Sequence, residues 1–272
     1  LGIRGGSGNF GVVTSLEFRL HKVGPVFGGA MFYPAAKAHE VLHFWREFAA
    51  DSPDELVTQG GSFRLPNGVP VFGIAACYCG TVADGERILK PLRTFGAPLA
   101  DALSPMSYVQ IQSLFEPFFP PGRHVYTKSN FLRDLSDKAI EAMVGYVGKS
   151  PSPHTFAPFI EHWNGAATRV APTDTAFPHR QYSWNFLAWS MWTNPSETAA
   201  NFAWTQGCWE AMRPYLVAGS YGNYVSDEGE AIAREAYGPN YDRLVALKNK
   251  YDPTNFFHMN HNVKPTKAAT AA

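Results

Sequence analysis

Two short motifs carry residue types that could do chemistry. The first is Gly5-Gly6-Ser7-Gly8-Asn9-Phe10-Gly11-Val12-Val13-Thr14, where Gly6, Gly8 and Gly11 show the G-x-G-x-x-G spacing that lets a backbone approach a pyrophosphate. That fingerprint works only between a strand and a helix, because the helix N-terminus carries the phosphate. Only a few residues precede Gly5, and after Thr14 the residues Leu16, Phe18 and Leu20 alternate with Ser15, Glu17 and Arg19, the pattern of a strand. The loop is therefore expected as a plain tight turn or as a glycine-lined approach to a phosphate or ring system, not as a Rossmann site. The second motif is His39-Glu40-Val41-Leu42-His43, which matches H-E-x-x-H, two imidazoles for zinc with a glutamate as general base. At ~100° per residue the two histidines lie ~40° apart, on a polar face shared with Glu40, Arg46 and Glu47. The longer form of the motif wants Gly and His where Arg46 and Ala49 stand, so no third ligand is supplied locally. No metal is expected, and a zinc-dependent hydrolase on His39 and His43 stands as the alternative.

Two further sets have bland readings. His258 and His261 follow Asp252-Pro253-Thr254-Asn255 in an irregular stretch and are expected to be solvated or hydrogen-bonded. Cys77 and Cys79 fall on one face of a strand-like run and are expected to be buried thiols rather than metal ligands, with no second Cys/His pair nearby.

Composition narrows the partners. The 272 residues are 45% hydrophobic and 14% aromatic, those of a packed protein, and 23 Lys and Arg balance 23 Asp and Glu. With no basic run and no cationic residues interleaved with the aromatics, nucleic acid is not expected as a partner, and a small-molecule substrate is. The longest apolar stretch, 69–79, is about half of what spans a bilayer, so no membrane partner is expected. The sequence opens on Leu1, in a loop that would close earlier structure, and is expected to be a fragment; the cytoplasm is the expected location, and oligomeric state is left open.

The elements that must position these residues follow from periodicity. Strands are expected at 14–20, 26–33, 56–65, 69–80, 125–132, 156–163 and 183–192, the third and fourth as a hairpin around Pro66-Asn67-Gly68. Helices are expected at 35–50, 84–95, 107–115, 136–147 and 195–212, with Ser136 and Asn194 as N-caps and Pro195 at the first helical position. Val41, Leu42, Trp45, Phe48 and Ala49 form the core stripe of the first helix. Hairpins mixed with long helices predict an α+β fold, an antiparallel sheet with helices on one face. Residues 266–272 lack large apolar side chains and are expected to be disordered.

Four segments in order resemble the C-terminal half of the berberine bridge enzyme-like FAD-dependent oxidoreductases, of the vanillyl-alcohol oxidase fold. Residues 5–21 resemble G-G-x-x-N-F-G-V-V-T-x-x-x-F-x-L-H; Arg169 with Thr175-Ala176-Phe177-Pro178-His179-Arg180 resembles a mid-chain motif. The third is Tyr221-Gly222-Asn223-Tyr224 with Asp227-Glu228-Gly229. The fourth runs from Ala236-Tyr237-Gly238-Pro239-Asn240-Tyr241 through Lys250-Tyr251-Asp252-Pro253-Thr254-Asn255 to Asn260-His261-Asn262-Val263.

The resemblance implies FAD as cofactor and a division into the last strand of an FAD-binding domain (1–22), a substrate-binding domain (23–217) and a berberine-like segment returning to the flavin (218–265). It implies an oxidoreductase that oxidises a small hydroxylated substrate by hydride transfer to flavin, with the fragment alone inactive; a ligand-binding module without chemistry is a further alternative. Tyr221 matches the tyrosine of the family's Y-x-N motif and is the candidate base, with Asn223 on the same face of a strand and Tyr224 turned away as packing. Because a phenol ionises near pH ~10, such a base needs a neighbour that stabilises its anion. Flavin contacts are expected from Gly8, Asn9, Phe10, Gly11, Val12, Val13, Asn223, Asn260 and Asn262, and substrate contacts from Asn185, His179 and Arg180. Plant relatives carry Glu or Gln on the strand after the P-F-P-H-R motif, where Leu187 stands here, with Asn185 two residues earlier; a carboxylate base on that strand is therefore not expected.

Overall fold

The structure is a computed structural model that describes residues 1–65, 67–224, 226, 229–259 and 261–266. In chain order these form β1 (Val26–Pro34), α1 (Ala38–Ala50), β2 (Leu56–Arg64), β3 (Pro70–Tyr78), α2 (Val82–Thr94), β4 (Ala100–Asp101), β5 (Ser104–Met106), α3 (Tyr108–Gln112), β6 (His124–Leu132), α4 (Asp137–Val144), β7 (Phe156–His162), α5 (Ala166–Arg169), β8 (Trp184–Trp192), α6 (Thr198–Met212), α7 (Glu230–Tyr237) and α8 (Tyr241–Tyr251). The strands make one 8-stranded antiparallel sheet in the order β4-β1-β3-β2-β7-β8-β6, with β5 paired to β1. The expected hairpin is β2–β3, in register from Leu56 opposite Tyr78 to Arg64 opposite Pro70; Pro66 of its turn lies outside the described residues.

Alternation decides which face of the sheet is covered. Phe27, Met31, Leu56, Phe72, Ile74, Ile160 and Phe186 point to one side and are buried under α1, α2, α4 and α6. Trp45 of α1 reaches deepest: its indole N–H donates to Thr58 Oγ1 at 2.9 Å and its ring meets Trp184 edge-on. That approach needs Gly60, since a Cβ there would lie 3.0 Å from the Trp45 ring and 2.7 Å from the Gly73 carbonyl. The caps hold as chemistry: Ser136 accepts from Ala139 N, and Asn194 accepts from Ser196 N with Pro195 next. The short α3 departs from the helices-on-one-face plan. Its Ile111 sits 3.0 Å from where a Cβ of Gly28 would be, on the side opposite Phe27. It is also shorter than the expected 107–115, because its Ser107–Gln110 capping box starts a turn that no apolar stripe continues.

Two expectations change. Residues 11–25 form no strand: Leu16, Phe18 and Leu20 are exposed, and among the described residues no neighbour offers the backbone hydrogen bonds that an extended segment needs. Conversely, α7 and α8 occupy a stretch where no helix is expected. They bury Ala233, Tyr237, Tyr241 and Leu244 in a second apolar cluster with Ala176, Val263, Leu1 and Phe10.

That cluster is closed by polar side chains. Asn9 is fully buried; its amide N–H groups donate to the Gly6 and His261 carbonyls, at 2.9 and 3.0 Å, and its Oδ1 accepts from Val263 N at 2.8 Å. Lys248 of α8, also fully buried, donates to the Asn9 carbonyl at 2.8 Å, to Asp252 Oδ2 at 2.6 Å and to the Phe257 carbonyl. Burial alone would raise the Asp252 pKa, but Lys248 and the Phe257 and Phe256 N–H groups outweigh it and hold the carboxyl below its ordinary value.

Replacing Lys248 by Met is expected to leave Asp252 a buried unpaired charge and to destabilise the 241–263 region by ~3–5 kcal/mol, read as lost amide-exchange protection in α8; wild-type protection would show that the ion pair holds nothing. His162 sets an acid limit on the main core. It is buried on β7 against Trp184, and burial pushes its pKa down from 6.5 to about 4. The folded protein thus keeps it neutral while the unfolded chain protonates it, so stability present above pH 6.5 is lost as pH falls toward 4. About 3 kcal/mol is at stake, and urea midpoints of His162→Gln should fall less than wild type over that window.

Candidate active site

A cleft of about 770 Å³ opens at the end of the sheet where β2 and β7 meet the opening loop and the 221–223 turn. Trp163 and Phe177 wall one side, Gly5, Ser7 and Tyr237 another, and Tyr221 and Asn223 a third. The Tyr221 ring is set edge-on to Trp163, Phe177 and Tyr224, with centroids at 5.3, 5.6 and 5.0 Å. Three edge-on contacts fix the ring plane, leaving the hydroxyl as the part free to act. Asn223 Nδ2 donates to that hydroxyl at 2.8 Å. Residues 222–224 form a 3-10 turn rather than a strand, so Asn223 meets Tyr221 by folding back on it and not by strand alternation.

Beneath the aromatic box lies a carboxylate that the sequence reading did not single out. Glu161 on β7 accepts from the Tyr224 hydroxyl at 2.8 Å through Oε1, and from Trp163 Nε1 and Asn185 Nδ2, both at 3.0 Å, through Oε2. Asn185 lies directly opposite on β8 and is held in turn by the Ser129 hydroxyl, 3.0 Å from its Oδ1. Tyr224 does not line the cleft and packs, as expected, but it does so against the Tyr221 ring and not on the far side, with its hydroxyl spent on Glu161. Burial, with the Glu161 charge added, pushes its phenol well above the ordinary value, so it stays a proton donor to Glu161. The signal for Glu161 was present as a lone acid in the apolar run Phe156-Ala157-Pro158-Phe159-Ile160-Glu161, but besides Trp163 two residues on, its partners Asn185 and Tyr224 come from two distant segments.

The remaining expected residues divide by location. Arg180 lines the cleft, stacked at 5.2 Å over Phe177 and donating to the Ala167 carbonyl and Thr175 Oγ1. Asn185 is fully buried and reaches the site only through Glu161. His179 is buried away from the cleft lining; its Nε2 sits 3.1 and 3.2 Å from the Glu235 and Ala236 carbonyls, and burial holds its pKa below the ordinary value. It ties β8's approach to α7.

In the opening loop the Asn9 side chain is consumed by the clamp and Phe10 packs in the second cluster, whereas Val12 and Val13 are exposed and Gly11, at φ +150°, has open space around it. Gly8 is half-buried in the same loop. Among the described residues the buried Asn262 Oδ1 has no partner, nor has Nδ1 of the neighbouring His261, whose Nε2 contacts the Gly222 carbonyl at 2.8 Å. Asn260 lies outside the described residues, as do Asp227, Glu228 and 267–272.

The H-E-x-x-H pair is folded into a polar surface cluster. The His39 and His43 rings lie 4.5 Å apart, and His43 Nδ1 is engaged by Arg46 at 3.2 Å, itself 2.6 Å from Asp137. Among the described residues no three His, Cys, Asp or Glu side chains gather as a metal site. Cys77 is buried as expected, but Cys79 is exposed. No helix among the described residues is long and apolar enough to cross a membrane.

Comparison with known proteins bears on this geometry. Residues 220–264 match the family model "Berberine and berberine like". The chain is 32% identical, over 97% of its length, to 57% of an FAD-linked oxidoreductase of Dictyostelium discoideum, and 28% identical, over 97%, to 58% of a chitooligosaccharide oxidase of Gibberella zeae. It thus spans under three fifths of the relatives it matches. Among solved structures, 6-hydroxy-D-nicotine oxidase from Arthrobacter nicotinovorans superposes with TM-score 0.77 at 23% identity, covering 96% of this chain and 59% of that one, which shows a shared fold. A terminal segment matched by the family model, on a chain aligned along nearly its whole length with FAD-linked relatives, makes this chain similar to the C-terminal part of the berberine bridge enzyme-like oxidoreductases.

Proposed function

We propose that this chain is the substrate side of an FAD-dependent oxidoreductase that oxidises a small hydroxylated molecule, with Tyr221 receiving the hydroxyl proton. The observation that carries the reading is the Tyr221 hydroxyl, set in the cleft by three aromatic rings and met by the Asn223 amide at 2.8 Å. A donor aimed at a phenol oxygen favours the charge that develops there, the neighbour that such a base requires. The FAD-linked relatives support the cofactor.

The residues present fit a flavin. Gly11, Val12 and Val13, beside the half-buried Gly8, offer an open backbone and apolar surface, and the buried Asn262 Oδ1, without a partner among the described residues, is an acceptor in want of a donor. These would hold the ring system near Tyr221, with Asn9 contributing backbone only. Bound flavin supplies the hydride acceptor. The chain's own residues do the rest: Tyr221 takes the proton, Asn223 steadies the oxygen, and Trp163 and Phe177 exclude water. Glu161 positions the site, because its three donors fix Trp163 and Tyr224, two of the rings around Tyr221. On the same reading residues 1–22 and 218–265 are the flavin-facing parts and 23–217 the substrate domain. This division makes the 272 residues alone inactive.

The test uses the full-length flavoprotein. Tyr221→Phe is expected to slow flavin reduction ~10²–10⁴-fold with substrate affinity little changed, and Asn223→Ala to slow it by about tenfold, the worth of one hydrogen bond to a charged group. An unaltered reduction rate in Tyr221→Phe removes Tyr221 from the chemistry.

A further inference from the structure

The sheet face opposite the helices carries a second cavity, about 280 Å³, which shares Val57 with the larger cleft and is lined by Gln59, Cys77, Cys79, Tyr108 and Phe115. Its two thiols approach to 3.8 Å, Cys77 within the wall and Cys79 at the exposed mouth. The proposed reaction of Tyr221 makes no use of them. We propose that Cys77 and Cys79 form a two-thiolate binding site for monovalent copper.

The ligand count selects the ion. Thiolates suit soft centres, among them Cu(I), zinc and iron–sulfur clusters. Structural zinc and the common clusters need four protein ligands, and among the described residues no group of even three ligating side chains exists. Hard cations want oxygen ligands. Cu(I) is satisfied by two sulfurs. Cys77 lies in β3 and Cys79 directly after it, where its N–H still bonds the Glu55 carbonyl at 2.9 Å, so the backbone pre-sets the pair, and the exposed Cys79 gives the ion its way in. A disulfide is the poorer outcome, because an extended i, i+2 pair separates its Cα atoms by ~6.6 Å, at the upper edge of what the bond tolerates. Binding balances as two thiols plus Cu(I) giving a bis-thiolate copper anion and two protons; Gln59 and Tyr108 line the cavity with polar groups that face this charge.

The test is a titration of the reduced chain with Cu(I), without oxygen, against a chromogenic Cu(I) chelator. One copper per chain is expected, with a thiolate-to-copper charge-transfer absorption. Cys77→Ser and Cys79→Ser should each weaken binding at least ~100-fold, beyond the loss of a mere outer-shell partner, while Cys208→Ala, remote in the helix-covered core, should bind as wild type. Alkylating exposed Cys79 on the folded wild-type chain should also abolish binding, which separates ligand loss from misfolding. Absence of copper at equivalence, or wild-type affinity in either serine variant or after alkylation, overturns the proposal, as does loss of copper with Cys208.

Discussion

Asn9 and Lys248 impose the constraint on which the site depends. Both are fully buried and polar, and each is tolerable only because all of its groups are paired. Asn9 ties the opening loop to the His261–Val263 stretch, while Lys248 ties the same loop to α8 and the 252–257 turn. Residues more than 230 positions apart are thereby held in one small cluster. A purely apolar contact would permit sliding, whereas these hydrogen bonds require one register.

From that anchor the chain returns to the sheet along a fixed path. His179 and Glu235 tie α7 to the segment before β8, and Glu235 also accepts from Gly219 N and Asn130 Nδ2. Residues 216–219 pair with the free edge of β6 through Leu216, Val217 and Gly219, which also covers an otherwise open strand. Tyr221 follows directly. Its position over the cleft is thus the sum of a clamp at one end and an edge pairing at the other, with Glu161 beneath as the shared acceptor for the rings around it.

The sheet explains why one side carries the cavities and the other gives stability. Large side chains alternate toward α1, α2, α4 and α6, and the helices remove them from water. On the opposite face Gln59, Glu161, Asn185 and the two thiols stand among small or aromatic residues, and both cavities lie there or at its end. Gly60 and Gly61 keep the backbone accessible on the central strand, where a Cβ would collide with Trp45 or Phe159.

Much of this was legible in the sequence. The α+β antiparallel plan, the hairpin of β2 and β3 and the caps Ser136 and Asn194 follow from period, capping chemistry and turn residues, which are local, whereas Tyr221 was singled out by the family resemblance alone. Where local patterns misled, a missing or distant partner was the reason. Residues 14–20 alternate like a strand but find no partner among the described residues, and His179 has the look of a ligand-binding group yet spends its ring on two carbonyls of α7. Asn9 reads as a loop residue facing a ligand and is a clamp. Glu161, Trp163, Asn185 and Tyr224 are scattered over more than sixty positions; strand register brings Asn185 onto the Glu161 carboxylate and the 222–224 turn brings Tyr224. The sequence by itself determined most of the sheet and the helices that cover it; tertiary structure decided which polar side chains spend their hydrogen bonds on the fold and which are left unpaired, because that choice depends on neighbours no local pattern encodes.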